Sequence, residues 1–179
     1  MQKWKVLDSE YLYKTAHGNL RKDKCLLEND LVIEQYHVNE FADWVNAVVM
    51  TKKQEVILVK QYRHGGNDFF YEVPAGVAEE GESNTQAIKR EVLEETGFQS
   101  DTEPIWLGEF FVNPATQNNK VISYFIPDAY PASAQNLDAT ENIEVHKIPI
   151  IELEKRINNG EILQMFSNFA FLLAKKHIN

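Results

Sequence analysis

The segment from Gly76 to Phe98, GVAEEGESNTQAIKREVLEETGF, constrains the fold more tightly than any other part of the chain. Ser83 followed three positions later by Gln86 has the form of a capping box, so a helix is expected from Asn84 to Thr96 with Gly97 as its left-handed stop. On that helix Glu91, Glu94 and Glu95 stand at i, i+3 and i+4 and share one face, about 100° wide. Arg90 lies four residues before Glu94 and can pair with it, whereas no lysine or arginine lies four residues from Glu91 or Glu95. Like charges so placed destabilise a helix by about 0.2–0.5 kcal/mol per pair. Something outside the helix must offset that cost.

A solvated acidic face is the commonplace reading of a glutamate-rich helix. The arrangement also suits a hard divalent cation, because carboxylate oxygens are the ligands Mg²⁺ and Mn²⁺ take, and Mg²⁺ is commonly held by one or two carboxylates plus substrate phosphates. The strand FFYEVPAG leads into the loop GVAEEGE, which can turn main-chain carbonyls toward the acids, and Glu82 at its end can hold them in place. Ile88, Val92 and Leu93, on the other side of the helix, are expected to pack inward.

The rest of the chain supplies a frame. Its 179 residues, 44% hydrophobic, suffice for one compact domain with a small appendage. The opening MQKWKVLDSEYLY has no secretory apolar region and no run is long enough to span a bilayer, so a soluble, cytoplasmic protein is expected. One cysteine, Cys25, excludes an internal disulfide and a cysteine-based zinc cluster. The net charge of −9 argues against a nucleic-acid coat, but a small anionic substrate remains open if metal ions bridge it to the acids. Residues 1–42 read as short strands joined at AHGN and END, forming a small N-terminal antiparallel sheet. Residues 43–179 read as strands around the helix, closed by helices at about 150–158 and 161–175. In the second of these Ile162, Met165, Phe166, Phe169, Leu172 and Leu173 recur at helical spacing and are expected in the core.

Gly76, five residues, Glu82, seven residues and then REVLEETGF from Arg90 to Phe98 match all nine specified positions of the Nudix box, G-x5-E-x7-R-E-U-x-E-E-x-G-U, where U is aliphatic or bulky and apolar. The chain therefore resembles the Nudix hydrolases. The resemblance implies an α/β (α+β) fold, an α/β/α sandwich around a mixed sheet, and metal-dependent hydrolysis of a nucleoside diphosphate linked to another moiety. QYRHGGNDFFYEVPAG, with its arginine-bearing strand and E-x-P-A-G, is similar to the entry segment of ADP-ribose pyrophosphatases and related nucleotide-sugar hydrolases. Pro114, sixteen residues beyond Phe98, and the tail ENIEVHKIPIIELEKRINNGEI are similar to that branch too. ADP-ribose, cleaved to AMP and ribose 5-phosphate, is the substrate this implies, with GDP-mannose or another sugar nucleotide as the alternative.

The same resemblance assigns roles. Glu91 and Glu95, with the main-chain carbonyl of Ala75, are the expected metal ligands for Mg²⁺ or Mn²⁺, and Glu94 stands close behind with a catalytic role. Gly76, Glu82, Arg90 and Gly97 shape the box. Arg63 offers a fork that matches diphosphate oxygens, though an ion pair at the surface is an equal reading of it. Glu72 either binds substrate or braces the box. A glutamate from a later loop completes the metal site or acts as general base, with Glu141 preferred over Glu144. The five histidines show no metal-ligand spacing, and RHGGND lacks the spacing of a P-loop and reads as a hairpin tip. Tyr11, Tyr13, Phe41 and Trp44 are the aromatics available to a base. The N-terminal strands resemble a segment that forms homodimers. A Nudix-fold sensor that binds a nucleotide without turnover is the second hypothesis, and the presence of Glu82, Glu91, Glu94 and Glu95 favours the enzyme.

Overall fold

Val45, Ala47 and Val49 alternate with Val48 and Met50 along one strand, so both of its faces are apolar and both must be covered. In the computed structural model, which describes residues 1–178, that strand is β4 (Trp44–Thr51), and it lies inside an eight-stranded sheet. The other members are β5 (Glu55–Arg63), β6 (Asp68–Glu72), β7 (Ala75–Gly76), β8 (Phe98–Gln99), β9 (Ile105–Phe111), β10 (Lys120–Pro131) and β11 (Ile143–Pro149). The order is β11-β5-β4-β10-β8, with β6 paired to β5, β7 to β4 and β9 to β10. Helix α1 (Asn84–Thr96) covers one face through Ala87, Ile88 and Val92, packed on Val45, Val49 and Ile57. Helices α2 (Ile150–Asn158) and α3 (Met165–Ala174) cover the other, where Leu153, Ala170 and Phe171 pack on Val48, Leu58 and Phe125. The expected sandwich is thus present.

Two details differ from the sequence reading. Leu93 is only half-buried, and Ala87 takes the inward place expected for it. The last long helix starts at Met165 instead of 161, because the Gln164 side chain accepts the Ser167 N–H at 2.6 Å and caps it there. Its buried face is Ser167, Ala170, Phe171 and Ala174, while Met165 and Leu172 are exposed. Apolar spacing alone does not reveal which stripe the sheet will cover.

The chain forms two compact units, one of Met1–Asp43 with Phe110–Val121, the other of Trp44–Glu109 with Ile122 onward. In the first, β1 (Lys5–Thr15), β2 (Gly18–Leu26) and β3 (Val32–Glu40) form the expected antiparallel sheet. Asp23 is buried there and accepts hydrogen bonds from Arg21 and from Ser9 Oγ at 2.6 Å. The Arg21 guanidinium holds its carboxyl below the usual carboxylate range. Pro114 occupies the second position of the turn closed by the Thr116 N–H on Asn113 O at 2.9 Å, a place the fixed φ of proline suits. Among the described residues no helix is long and apolar enough to cross a membrane.

Candidate active site

The box helix is pinned at both ends by short-range chemistry. Ser83 Oγ accepts the Gln86 N–H at 3.3 Å and Gln86 Oε1 accepts the Ser83 N–H at 3.0 Å, which completes the capping box. Gly97 sits at φ 71° and its N–H donates to Leu93 O at 2.8 Å. A Cβ at Gly97 would lie 2.3 Å from Ser133 O, so the backbone of the next loop passes directly against the helix stop.

Arg90 organises the acids. Its Nε and Nη2 donate to the Glu82 carboxylate at 3.1 and 2.9 Å, Nη2 donates to Val77 O at 3.0 Å, and Nη1 reaches both Glu91 and Glu94 at 2.9 Å. Glu91 is therefore compensated after all, by the adjacent residue, because the guanidinium reaches sideways as well as along the i, i+4 diagonal. Glu82 also accepts the Glu79 N–H at 3.0 Å, and these donors hold its carboxyl below the usual range, the guanidinium most strongly. It acts on the acidic face through Arg90.

Glu95 is buried, and its Oε2 accepts the Ala75 N–H at 3.1 Å. Burial pushes its carboxyl up to about 8; the Ala75 N–H and Arg63 oppose the shift, and the neighbouring Glu91 and Glu141 add to it. Burial also raises Glu91, against the pull of Arg90. The Glu91 carboxyl lies over the α-carbon of Gly76, where an added Cβ would meet its Cδ at 2.0 Å. Gly76→Ala must displace that carboxyl. We expect turnover to fall about 10- to 100-fold with little change in the unfolding temperature, checked by steady-state kinetics and thermal denaturation.

The loop after β10 is tied to the same helix. Gln135 Nε2 donates to Glu95 O at 2.6 Å and to Ile143 O at 3.2 Å, and the Asn136 N–H donates to Glu94 O at 2.9 Å. Glu141 closes a turn on Asp138, its N–H donating to Asp138 O at 2.9 Å and its Oε2 accepting the Asp138 N–H at 3.1 Å. Together with Glu91, Glu94, Asn136 and the Ala75–Val77 backbone, Glu141 lines a polar cleft of about 360 Å³. Glu144 is exposed on β11 with His146 at 3.3 Å and does not line the cleft. Nothing in the spacing of Gln135 and Asn136 marks them in the sequence, since their role is set by where the loop crosses the helix end.

Beside this cleft Arg63, at the end of β5, is held side-on by Glu72 at the end of β6, Nε to Oε1 at 3.0 Å and Nη2 to Oε2 at 2.7 Å. Glu72 is buried whereas the Arg63 side chain is 48% exposed, so the acid fixes the plane of the guanidinium and leaves Nη1 for a further partner. The ion-pair reading and the clamp reading of Arg63 are thus compatible. A second cleft, about 520 Å³, adjoins the first and shares Ala75, Gly76 and Val77 with it. Trp44, Phe70, Phe166 and Gln164 line it, with Arg63 and Glu72. Tyr11, Tyr13 and Phe41, the other aromatics considered for a base, belong to the first unit.

The donor set fits a divalent cation. A carboxyl as buried as Glu95, next to two more, must hold a proton or meet a cation at neutral pH. Among the described residues no group of three or more His, Cys, Asp or Glu side chains forms a ready-made metal cage.

Residues 41–166 match the NUDIX domain family. The chain belongs to the Nudix family. Residues 4–39 of this Nudix chain match the nucleoside diphosphate sugar hydrolase N-terminal domain. Putative nudix hydrolase 2 of Caenorhabditis elegans is 34% identical over 116 residues, 60% of this chain and about half, 52%, of that relative. The methanol dehydrogenase activator of Bacillus methanolicus is 26% identical over 179 residues, covering 97% of this chain and 96% of its own. An ADP-ribose pyrophosphatase of Bacillus subtilis (strain 168) is 24% identical over 128 residues, 70% of this Nudix chain and 68% of that enzyme. In fold the chain is similar to a crystal structure of an ADP compounds hydrolase, with a TM-score of 0.87, 20% identity, and coverage of 99% of this chain and 95% of that one.

Proposed function

We propose that this Nudix protein hydrolyses the diphosphate bond of ADP-ribose, giving AMP and ribose 5-phosphate, with Mg²⁺ or Mn²⁺ as cofactor. The observation that carries the reading is the convergence of Glu91, Glu94 and Glu141 on one cleft floored by the Ala75–Gly76 backbone, with Glu95 buried next to it and bonded to the Ala75 N–H. Glu91, Glu95 and the Ala75 carbonyl would hold the cation. When bound, it neutralises charge on phosphoryl oxygens and lowers the pKa of the attacking water.

The chain's own residues do the rest. Arg63, oriented by Glu72, binds a diphosphate oxygen through Nη1. Glu141 takes the proton from the attacking water as general base, and its turn on Asp138 and the anchorage of Gln135 set its position. Glu94 and Glu91 are bridged and oriented by the shared Arg90 nitrogen. ADP-ribose is favoured over other nucleotide sugars by the likeness to an ADP-ribose pyrophosphatase and an ADP compounds hydrolase.

The test is hydrolysis of ADP-ribose, GDP-mannose, ADP-glucose, UDP-glucose, NADH, diadenosine polyphosphates and 8-oxo-dGTP with Mg²⁺, with Mn²⁺ and with chelator, resolving the products. Metal-dependent release of AMP from ADP-ribose, well above the rest, is the expected result. Preference for GDP-mannose would overturn the substrate and keep the chemistry, and binding with no turnover on any compound would establish a sensor. Residues 1–42 are proposed as the dimer-forming part and residues 43–179 as the catalytic part, of which Asn179 lies outside the described residues. β1 exposes the apolar side chains of Val6, Leu7, Tyr11, Leu12 and Tyr13, which a second copy would cover in part. Light scattering should give twice the 20.7 kDa chain mass, and a monomer at micromolar concentration would reject the homodimer. The single cysteine accords with a cytoplasmic location.

A further inference from the structure

Leu93 is half-buried, and it lines a hollow behind the box helix. This third cavity, about 240 Å³, lies between α1 and residues 99–104, and Val92, Leu93, Pro104 and Ile126 form its apolar walls. Lys89 and Arg90 complete the helix side. At about 100° per residue, Lys89, Val92 and Leu93 stand on the side of α1 roughly opposite Glu91, Glu94 and Glu95, and Arg90 falls between the two groups. Among the described residues Arg90 alone lines both this cavity and the carboxylate cleft. We propose that the rear cavity binds a small carboxylate with an apolar body and that its occupancy acts on the carboxylate cleft through Arg90.

The groups around the cavity define that class. At roughly 30 Å³ per water its volume equals about eight waters, room for a six-carbon ring with a head group and too little for a nucleotide. Val92 and Ile126 belong to the core and Pro104 has no N–H, so the body of the occupant must be apolar. At the rim Ser100 Oγ already donates to Pro127 O at 2.6 Å and accepts the Thr102 N–H at 3.1 Å, and Gln99 Nε2 donates to Tyr130 Oη at 2.8 Å. Lys89 is different. Its ammonium has three hydrogens and donates one to Glu103 at 2.6 Å, an acid whose side chain is 77% exposed. So exposed an ion pair contributes little, and a carboxylate can replace Glu103 or share the ammonium with it. Arg90 has all five N–H groups engaged with Glu82, Glu91, Glu94 and Val77 O, so its methylene stem is what it offers the occupant. Apolar contact there restrains the stem that carries the guanidinium.

Fluorine NMR of para-fluorobenzoate, titrated with the protein in chelator, tests the site without turnover. Saturable binding with a Kd of about 1 mM or tighter is expected. It should weaken about tenfold for para-fluorobenzamide, which lacks the charge, and for K89Q, which lacks the ammonium. L93W fills the cavity and should abolish binding; K89Q, at the exposed rim, keeps the test decisive if L93W fails to fold. R63A alters a different cleft and should leave binding unchanged. No saturable binding, binding that survives both K89Q and L93W, or binding that R63A removes would overturn the site. With Mg²⁺ limiting, saturating para-fluorobenzoate should raise kcat for ADP-ribose about threefold and leave KM unchanged, because a restrained Arg90 keeps Glu91 and Glu94 in place. An unchanged rate, or a rise in KM, would overturn the coupling. The coupling rests on the hydrolase reading and the binding does not: binding in a protein that hydrolyses nothing would reject the hydrolase and keep the site.

Discussion

Replacing Glu95 with glutamine is expected to give a protein that resists unfolding better than the original and yet turns over substrate about 10³-fold more slowly. The loss follows if transition-state charge stabilisation of about 4 kcal/mol depends on the anionic ligand, at about 1.4 kcal/mol per tenfold in rate. The gain follows from linkage. Burial first, then Glu91 and Glu141, raises the Glu95 carboxyl from 4.5 to about 8, so the folded metal-free protein binds a proton that the unfolded chain gives up. Stability contributed by this group is complete below pH 4.5 and is lost as pH rises toward 8; at pH 7 the penalty is roughly 3 kcal/mol. Glutamine keeps an oxygen for the Ala75 N–H and carries no charge, so the variant should show no such decline. Denaturant titrations in chelator at pH 5 and pH 8 compare the two proteins. A wild-type stability that does not fall across that interval, or a variant with near-normal turnover, would sink the assignment. Glu91→Gln should likewise abolish turnover and leave the fold intact.

The second large effect concerns Arg90. Its guanidinium bridges Glu82, Glu91, Glu94 and Val77 O, and its side chain is only 24% exposed. Arg90→Ala leaves three carboxylates facing one another with no cation, and we expect a stability loss of about 2 kcal/mol after allowing for partial solvent screening. For a chain of this size that is a fall of about 4–8 °C in unfolding temperature. Turnover should drop about 10- to 100-fold as Glu91 and Glu94 lose their fixed orientation. Added divalent cation should restore part of the thermal loss, since it supplies the missing positive charge. Lysine at this position should rescue less than half, because one ammonium cannot reproduce the fork and the sideways contact together. An unchanged unfolding temperature would show that the network contributes nothing.

What could be read from sequence was mostly what local chemistry decides. Ser83, Gln86 and Gly97 specify both ends of α1 through contacts within four residues, and all of them occur in the structure as read. The alternation in β4 required cover on both faces, and both faces are covered. The failures come from choices that only tertiary packing makes. Which stripe of α3 is buried depends on where β4 and β10 lie beneath it, so Phe171 and Ala174 pack inward while Met165 and Leu172 do not. The i, i+4 rule missed the contact of Arg90 with Glu91 because it treats an arginine as reaching in one direction. Trp44 and Phe166 are 122 positions apart in the chain, and no periodicity connects them.

The loop that carries Glu141 has a further property. Asn136 at its near end is fastened to the backbone of Glu94, and Gln135 grips both Glu95 and Ile143, where β11 begins. The six residues 137–142 therefore hang between two fixed posts. Such a segment can be lengthened, shortened or exchanged without disturbing the helix or the strand, because neither depends on it for a partner. The same scaffold can thus shift Glu141, the proposed general base, along the cleft while the acids of α1 stay in place, a means by which related chains could diverge in what they cleave.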